Sequence, residues 1–254
     1  MNARQSFEST TSTTTTTAAD RAEQTLGRIA VELPGATAIF RKLKLDFCCH
    51  GNVSLRQAAQ DKNLDLAELQ AQLAKLERSD ALAEEISPSV LIDHILTRYH
   101  EVHRAQLPEL IRMALRVETV HKNTPQVPTG LADLLQIMQQ ELLDHMMKEE
   151  QILFPMLKSG GNPFVTQPIS MMRAEHIHHG GMLDRLNALT NDATPPAGAC
   201  NTWRALYSGL AQLNEDLIKH IHLENNVLFP AFEASAHARP AGGCGGGGHG
   251  CGCQ

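Results

Sequence analysis

His145-Met146-Met147-Lys148-Glu149 runs on into Ile152-Leu153-Phe154-Pro155, and His220-Ile221-His222-Leu223-Glu224 runs on into Val227-Leu228-Phe229-Pro230. The offset between the two stretches is 75 positions throughout (145 to 220, 149 to 224). A His and a Glu four apart on a helix share one face, about one turn from each other. At about 100° per residue, His145 and Glu149 fall inside the apolar stripe of Leu131, Leu134, Leu135, Met138, Leu142 and Leu153. Glu224 lies within the stripe of Leu210, Leu213, Leu217, Ile221 and Leu228, with His220 at its edge. A carboxylate turned toward a core is costly unless it is paired or bound to metal. A single inward histidine is more often a satisfied core residue, and a single His-x-x-x-Glu says little. Two copies in matching apolar contexts, on two helices of one bundle, predict a dinuclear metal site.

Outward from these stretches, four long helical segments run roughly over 89–120, 129–157, 169–189 and 202–232. Thr124-Pro125 to Gly130, Gly160-Gly161-Asn162-Pro163 and Thr194-Pro195-Pro196 break them apart. The expected fold is all-α, an up-down four-helix bundle over 87–235, with Pro108 expected to kink or interrupt its first helix. Upstream, residues 21–84 read as a small helical domain with pieces near 22–31, 35–43, 54–62 and 66–78, and with Ser54 and Asp65 as N-caps. Between its second and third pieces stands Asp46-Phe47-Cys48-Cys49-His50-Gly51. Residues 1–20, rich in Ser and Thr, and 236–254, which end in a Gly/Cys/His tail, are expected to be disordered.

Composition excludes several classes of function. A net charge of −6 argues against a nucleic-acid surface. No apolar run approaches the roughly 20 residues of a membrane span, and the N-terminus has no apolar segment of the secretory kind. A cytoplasmic location follows as the default. The six cysteines are Cys48, Cys49, Cys200, Cys244, Cys251 and Cys253. Their distribution suggests thiols, metal ligands or redox groups, not a disulfide framework. Cys200, after the Pro-Pro linker, reads as structural.

The remaining metal ligands should come from the first and third bundle helices. In the third, His176 and His179 share the stripe of Met172, Leu183 and Leu186, while His178 points away. In the first, His94 points away from Ile92, Ile95, Leu96, Tyr99 and Val102. Periodicity slightly favours His103. Repeat spacing favours His100, which precedes His145 by 45 positions as His176 precedes His220 by 44. His100 is taken as the ligand, with His103 as a supporting or substitute imidazole. The set is then His100, His145, Glu149, His176, His220 and Glu224. Its imidazoles and carboxylates suit a first-row metal, iron above manganese or zinc. The bundle positions hold no Cys, which disfavours a structural thiolate zinc site.

Further pieces are Leu45-Asp46-Phe47-Cys48-Cys49-His50-Gly51, Arg98-Tyr99-His100, Gln106-Leu107-Pro108-Glu109-Leu110, Glu175-His176 and Leu223-Glu224-Asn225-Asn226. Together with the two repeated stretches, they make residues from about 22 to 233 resemble the repair-of-iron-centres family of YtfE/ScdA type. The resemblance implies a hemerythrin-like bundle with two non-haem iron ions, oxo-bridged when oxidised. It also implies that the six residues above are the ligands, with both glutamates as bridges. The implied role is repair of iron–sulfur clusters damaged by nitric oxide or oxidants. The implied partners are damaged iron–sulfur proteins, nitric oxide and an electron donor, and a homodimer is compatible with the family. The chain departs from the pattern at His50, at His178 and His179, and in its tail.

The adjacent Cys48 and Cys49 are expected to bind metal, a nitrosyl group or electrons and to exchange them with the bundle, with His50 lowering a thiol pKa. The competing functions are direct reduction of nitric oxide, and a hemerythrin-like carrier or sensor of nitric oxide or oxygen. Neither needs the Cys-Cys domain.

Overall fold

The computed structural model describes residues 18–33, 35–76, 87–162 and 164–237. The tail with Cys244, Cys251 and Cys253 lies outside them, as does most of the N-terminal segment expected to be disordered, residues 1–17. The last three positions of that segment belong instead to a helix, α1 (Ala18–Glu23). The chain divides between Glu84 and Glu85 into two compact units. The described residues form helices and no strand, with one isolated bridge between Thr25 and Ser54.

The first unit continues with α2 (Leu26–Glu32), α3 (Ala36–Lys42), α4 (Leu55–Asp61) and α5 (Leu66–Ala74). Helices this short are marginal alone, so their ends are capped and their apolar faces shared. Ser54 caps α4 by accepting from Gln57 N (3.2 Å), and Asp65 caps α5 by accepting from Ala67 N (2.8 Å) and Glu68 N (3.2 Å). α5 ends at Ala74, and the expected end at Arg78 lies outside the described residues. Leu26, Ile29, Phe40, Phe47, Leu55, Leu69 and Leu73 are buried together in sequence-distant pieces of this unit. Phe47 sits 5.8 Å from Phe40, and Gly27 N donates to Gly51 O (2.7 Å). These contacts anchor the loop that carries Cys48 and Cys49.

The second unit is an up-down four-helix bundle. Its first helix is α6 (Pro88–Ile95), a π turn (Leu96–His100) and α7 (Glu101–Val120). Its second is α8 (Leu131–Lys148), a π turn (Glu149–Leu153) and α9 (Phe154–Lys158). The third is α10 (Thr166–Thr190), and the fourth is α11 (Asn201–Leu223), a π turn (Glu224–Leu228) and α12 (Phe229–His237). α7 packs on α8 and α11, and α10 closes the bundle on α8 and α11. Each Phe-Pro pair directly follows a π turn, where the wider turn relieves the clash of a proline ring with the carbonyl four residues back. No helix among the described residues is long and apolar enough to cross a membrane.

Pro108 does not interrupt the first helix: α7 runs through it. Pro108 and Arg104 are both exposed, so water can take up the carbonyl that proline leaves without an N–H. Gly209 allows a close approach between α11 and α7, since a Cβ there would lie 2.6 Å from Leu110 Cδ2. Arg98, in the first π turn, clamps Asp216 of α11 with two hydrogen bonds of 3.2 and 2.7 Å. Asp216 is 1% exposed, whereas the Arg98 side chain is 40% exposed. Arg98→Ala strands a buried carboxylate. It is expected to cost about 2 kcal/mol after allowance for solvent at the guanidinium, read as a lower urea midpoint.

Candidate metal centre

The repeated His-x-x-x-Glu pairs close on one another in the middle of the bundle. His145 ends near the C-terminus of α8 and Glu149 opens the π turn after it; His220 and Glu224 hold the same places on α11 and its π turn. His100 closes the π turn before α7, and His176 lies within α10. All six side chains are at most 1% exposed.

They form two overlapping sets. His100, Glu149, His220 and Glu224 each bring one ligand atom within 4.8 Å of the others, and so do His145, Glu149, His176 and Glu224. Each glutamate turns one oxygen to each set. Glu149 Oε1 lies 3.3 Å from His145 Nε2 and its Oε2 lies 3.4 Å from His100 Nε2. Glu224 Oε2 lies 3.1 Å from His176 Nε2 and its Oε1 lies 3.1 Å from His220 Nε2. Within each set the two imidazoles bring their Nε2 atoms to 3.1 Å.

This donor set fits metal ions. Both oxygens of Glu149 and Oε2 of Glu224 are buried without a hydrogen-bond partner, a cost that a cation between the carboxylates removes. Electrostatics point the same way. Burial lowers the His145 imidazole, but Glu149, Glu224 and Glu175 outweigh it and hold it up at about 9. Burial raises the Glu149 carboxyl, but His145, His100 and His220 hold it well below the usual carboxylate range. Burial likewise lowers His100, yet Glu149 and its neighbours leave it raised; at His220 burial wins and the pKa is lowered.

Three of the four imidazoles are braced on the side away from the cluster. His100 Nδ1–H donates to Glu150 Oε1 (2.7 Å), His145 Nδ1–H to Glu175 Oε2 (2.8 Å) and His176 Nδ1–H to Asn225 Oδ1 (2.9 Å). Arg104 and Lys148 in turn hold Glu150 and Glu175. His220 Nδ1 is buried with no hydrogen-bond partner, and its ring stacks on Tyr99 at 5.4 Å and 3°. Sequence reasoning missed these partners. The signal was available, because Glu150 and Asn225 stand at the same 75-residue offset (150 to 225).

His103 and His179 are buried beside the cluster but belong to neither set. Their rings lie 5.5 Å from His220 and 4.9 Å from His145, respectively. His178 and His94 are exposed. Burial, aided by neighbouring imidazoles, lowers His103 to about 2 and His179 to about 3; burial alone lowers His222 to about 4. A histidine whose folded pKa lies below its unfolded value stabilises fully above about 6.5 and loses that contribution as pH falls. His145, raised to about 9, has the opposite sign and loses its contribution as pH rises through that value. Metal-free protein is therefore expected to be most stable near neutral pH. Between pH 6.5 and 5 it should lose at most about 2 kcal/mol for each lowered histidine. Urea melts across pH check this, and His222→Gln should flatten the acid limb.

In the first unit, Asp46, Cys48 and Cys49 bring ligand atoms within 4.8 Å of one another. Cys48 Sγ and Cys49 Sγ are 3.6 Å apart, and neither is in a disulfide. Asp46 Oδ1 accepts from Cys49 N (2.9 Å), Cys48 N (3.2 Å) and Cys48 Sγ (3.3 Å). His50, expected to lower a thiol pKa, has its Nδ1 at 2.6 Å from Asp46 Oδ2. The Cys48 thiol is pushed well up, first by Cys49, then by burial and Asp46. Cys200 is an exposed free thiol 3.2 Å from His121 Nε2, not a packed structural residue.

A family model described as the hemerythrin HHE cation binding domain matches residues 91–232. A second, ScdA_N, described as a domain of unknown function, matches residues 22–77. The chain is 49% identical over 211 residues to the iron-sulfur cluster repair protein YtfE of Dickeya chrysanthemi, covering 82% of this chain and 96% of the relative. It is 49% identical over 214 residues to a probable iron-sulfur cluster repair protein of Haemophilus influenzae, with the same 82% and 96% coverage. It is also 49% identical over 216 residues to the iron-sulfur cluster repair protein YtfE of Escherichia coli O17:K52:H18, again covering 82% and 96%.

Proposed function

The chain belongs to the family of YtfE/ScdA-type iron–sulfur cluster repair proteins, and from that premise we propose that it is a di-iron protein that restores iron–sulfur clusters damaged by nitric oxide or oxidants. The observation that carries this reading is the sharing of Glu149 and Glu224 between two buried four-residue sets. His100 and His220 would hold one ion and His145 and His176 the other, with both carboxylates bridging. Iron bound there supplies either metal for rebuilding a cluster or redox chemistry toward nitric oxide.

The chain's own residues do the rest. Glu150, Glu175 and Asn225 orient three imidazoles so that Nε2 faces inward. Phe154 stacks on His100, Phe229 on His176 and Tyr99 on His220, which excludes bulk water from the cluster. His103 and His179 stay neutral beside it, so they add no positive charge to compete with a cation. Cys48 and Cys49, held by Asp46, pass iron, a nitrosyl group or electrons to or from the centre. The partners are damaged iron–sulfur proteins and an electron donor in the cytoplasm, and the net charge of −6 fits neither nucleic acid nor an anionic membrane surface.

The test is anaerobic incubation of the iron-loaded protein with a four-iron hydratase inactivated by nitric oxide. Reactivation with iron moving from one protein to the other is the expected result. Catalytic formation of nitrous oxide without reactivation would make the chain a nitric oxide reductase. Reversible gas binding without iron release would make it a carrier or sensor.

A further inference from the structure

The two halves of the cluster are related by the sequence repeat, yet the bracing of their imidazoles is unequal. In the set of His145 and His176, both rings donate from Nδ1, to Glu175 and to Asn225. In the set of His100 and His220, only His100 does so, to Glu150. The position that would complete the pattern is visible in the repeat. Glu175 immediately precedes His176 and braces His145; Tyr99 immediately precedes His100 and faces His220. Tyr99 offers His220 a ring face at 5.4 Å, not an acceptor, and His220 Nδ1 is left buried without a hydrogen-bond partner.

A hydrogen bond to the outer nitrogen of a ligating imidazole fixes its tautomer and orientation and raises its basicity. Loss of such a partner typically weakens metal binding by about 10- to 100-fold. The bridging glutamates are common to both sets, so they cannot supply the difference. Glu150 and Glu175 are both held by a cation, Arg104 or Lys148, so those two braces match. What remains is Asn225 behind His176 against no brace behind His220.

We infer that the ion held by His100 and His220 is the exchangeable one, and that the ion held by His145 and His176 stays behind. This rests on the di-iron reading above and deepens it, because a protein that donates iron from a two-ion centre needs one position that empties first. Glu175 and Asn225 act as positioning residues for the retained ion.

Full-length protein loaded anaerobically with ferrous iron and mixed with an excess of a ferrous chelator tests this. Two phases of equal amplitude are expected, the first faster by about tenfold or more. Glu175→Gln and, separately, Asn225→Ala should speed the slow phase by about tenfold and leave the fast phase alone, whereas Glu150→Gln should speed the fast phase. Circular dichroism checks that each variant is folded, and Mössbauer spectra of protein stopped between the phases should show one iron environment. Loss of both irons in one phase from a two-iron protein overturns the inference and leaves the di-iron reading standing. So does acceleration of the fast phase by both Glu175→Gln and Asn225→Ala. Failure of the wild-type chain to take up two irons overturns both.

Discussion

A Glu149→Ala/Glu224→Ala variant is expected to bind essentially no iron, where the wild-type chain takes up about two ions, one for each buried set. The effect is large because these two residues are the part of the cluster that both sets share. Each glutamate places one oxygen toward each imidazole pair, at 3.1 to 3.4 Å. Removing both leaves two pairs of imidazoles and no charge to offset a divalent cation. A first-row ion held by two neutral nitrogens is a weak complex, and the loss should exceed the roughly 10- to 100-fold typical of a missing outer hydrogen bond. The optical bands of an oxidised di-iron centre should vanish with the metal. The helical circular dichroism should persist, since the substitutions remove none of the buried apolar side chains around Ile92, Ile95, Phe154 and Phe229. Zinc or no metal in freshly prepared wild-type protein, unchanged by the substitutions, would mean that the paired motif is only structural.

Cys48→Ser/Cys49→Ser is expected to abolish repair in cells exposed to nitric oxide while leaving iron content and the optical spectrum of the bundle unchanged. Neither thiol is in a disulfide, the two lie 3.6 Å apart, and the loop that holds them is organised by Asp46 through the Cys48 and Cys49 amides. Serine preserves those amide bonds, so the fold should stand. What it removes is thiolate chemistry, for which a hydroxyl is no substitute as a soft ligand or redox group. Because the Cys48 thiol is pushed up by Cys49, burial and Asp46, the pair should react faster as pH rises, followed with a thiol reagent on metal-free protein. Full repair by the double variant would remove the cysteine pair from the mechanism.

The helical class, the four-helix bundle and the placement of His145, Glu149, His176, His220 and Glu224 toward one interior could all be read from spacing. Those features are encoded locally: apolar residues at helical period mark a buried face, and a repeat at constant offset marks equivalent positions on two helices. His100 against His103 could not be decided that way. The π turn at Leu96–His100 inserts an extra residue into the first helix just before the cluster, so a stripe extrapolated at a uniform period drifts off the true inner face. Both histidines prove buried, and only His100 brings an Nε2 to the carboxylates. The same limit hid the continuity of α7 through Pro108, which depends on which side of the helix meets water.

What the sequence determined by itself is the chemistry on offer: two carboxylates and a surplus of imidazoles on inward faces, a Cys-Cys loop between capped helices, and a net charge of −6. What only the tertiary structure decided is which of those imidazoles converge and how each is supported. His100 meets Glu150 across 50 positions, His145 meets Glu175 across 30, and His176 meets Asn225 across 49. The lack of a hydrogen-bond partner at His220 Nδ1 is likewise a property of the packed bundle. Helical period says which face a side chain occupies. The direction of an imidazole's second nitrogen, and whether an acceptor stands there, is set by the neighbouring helix.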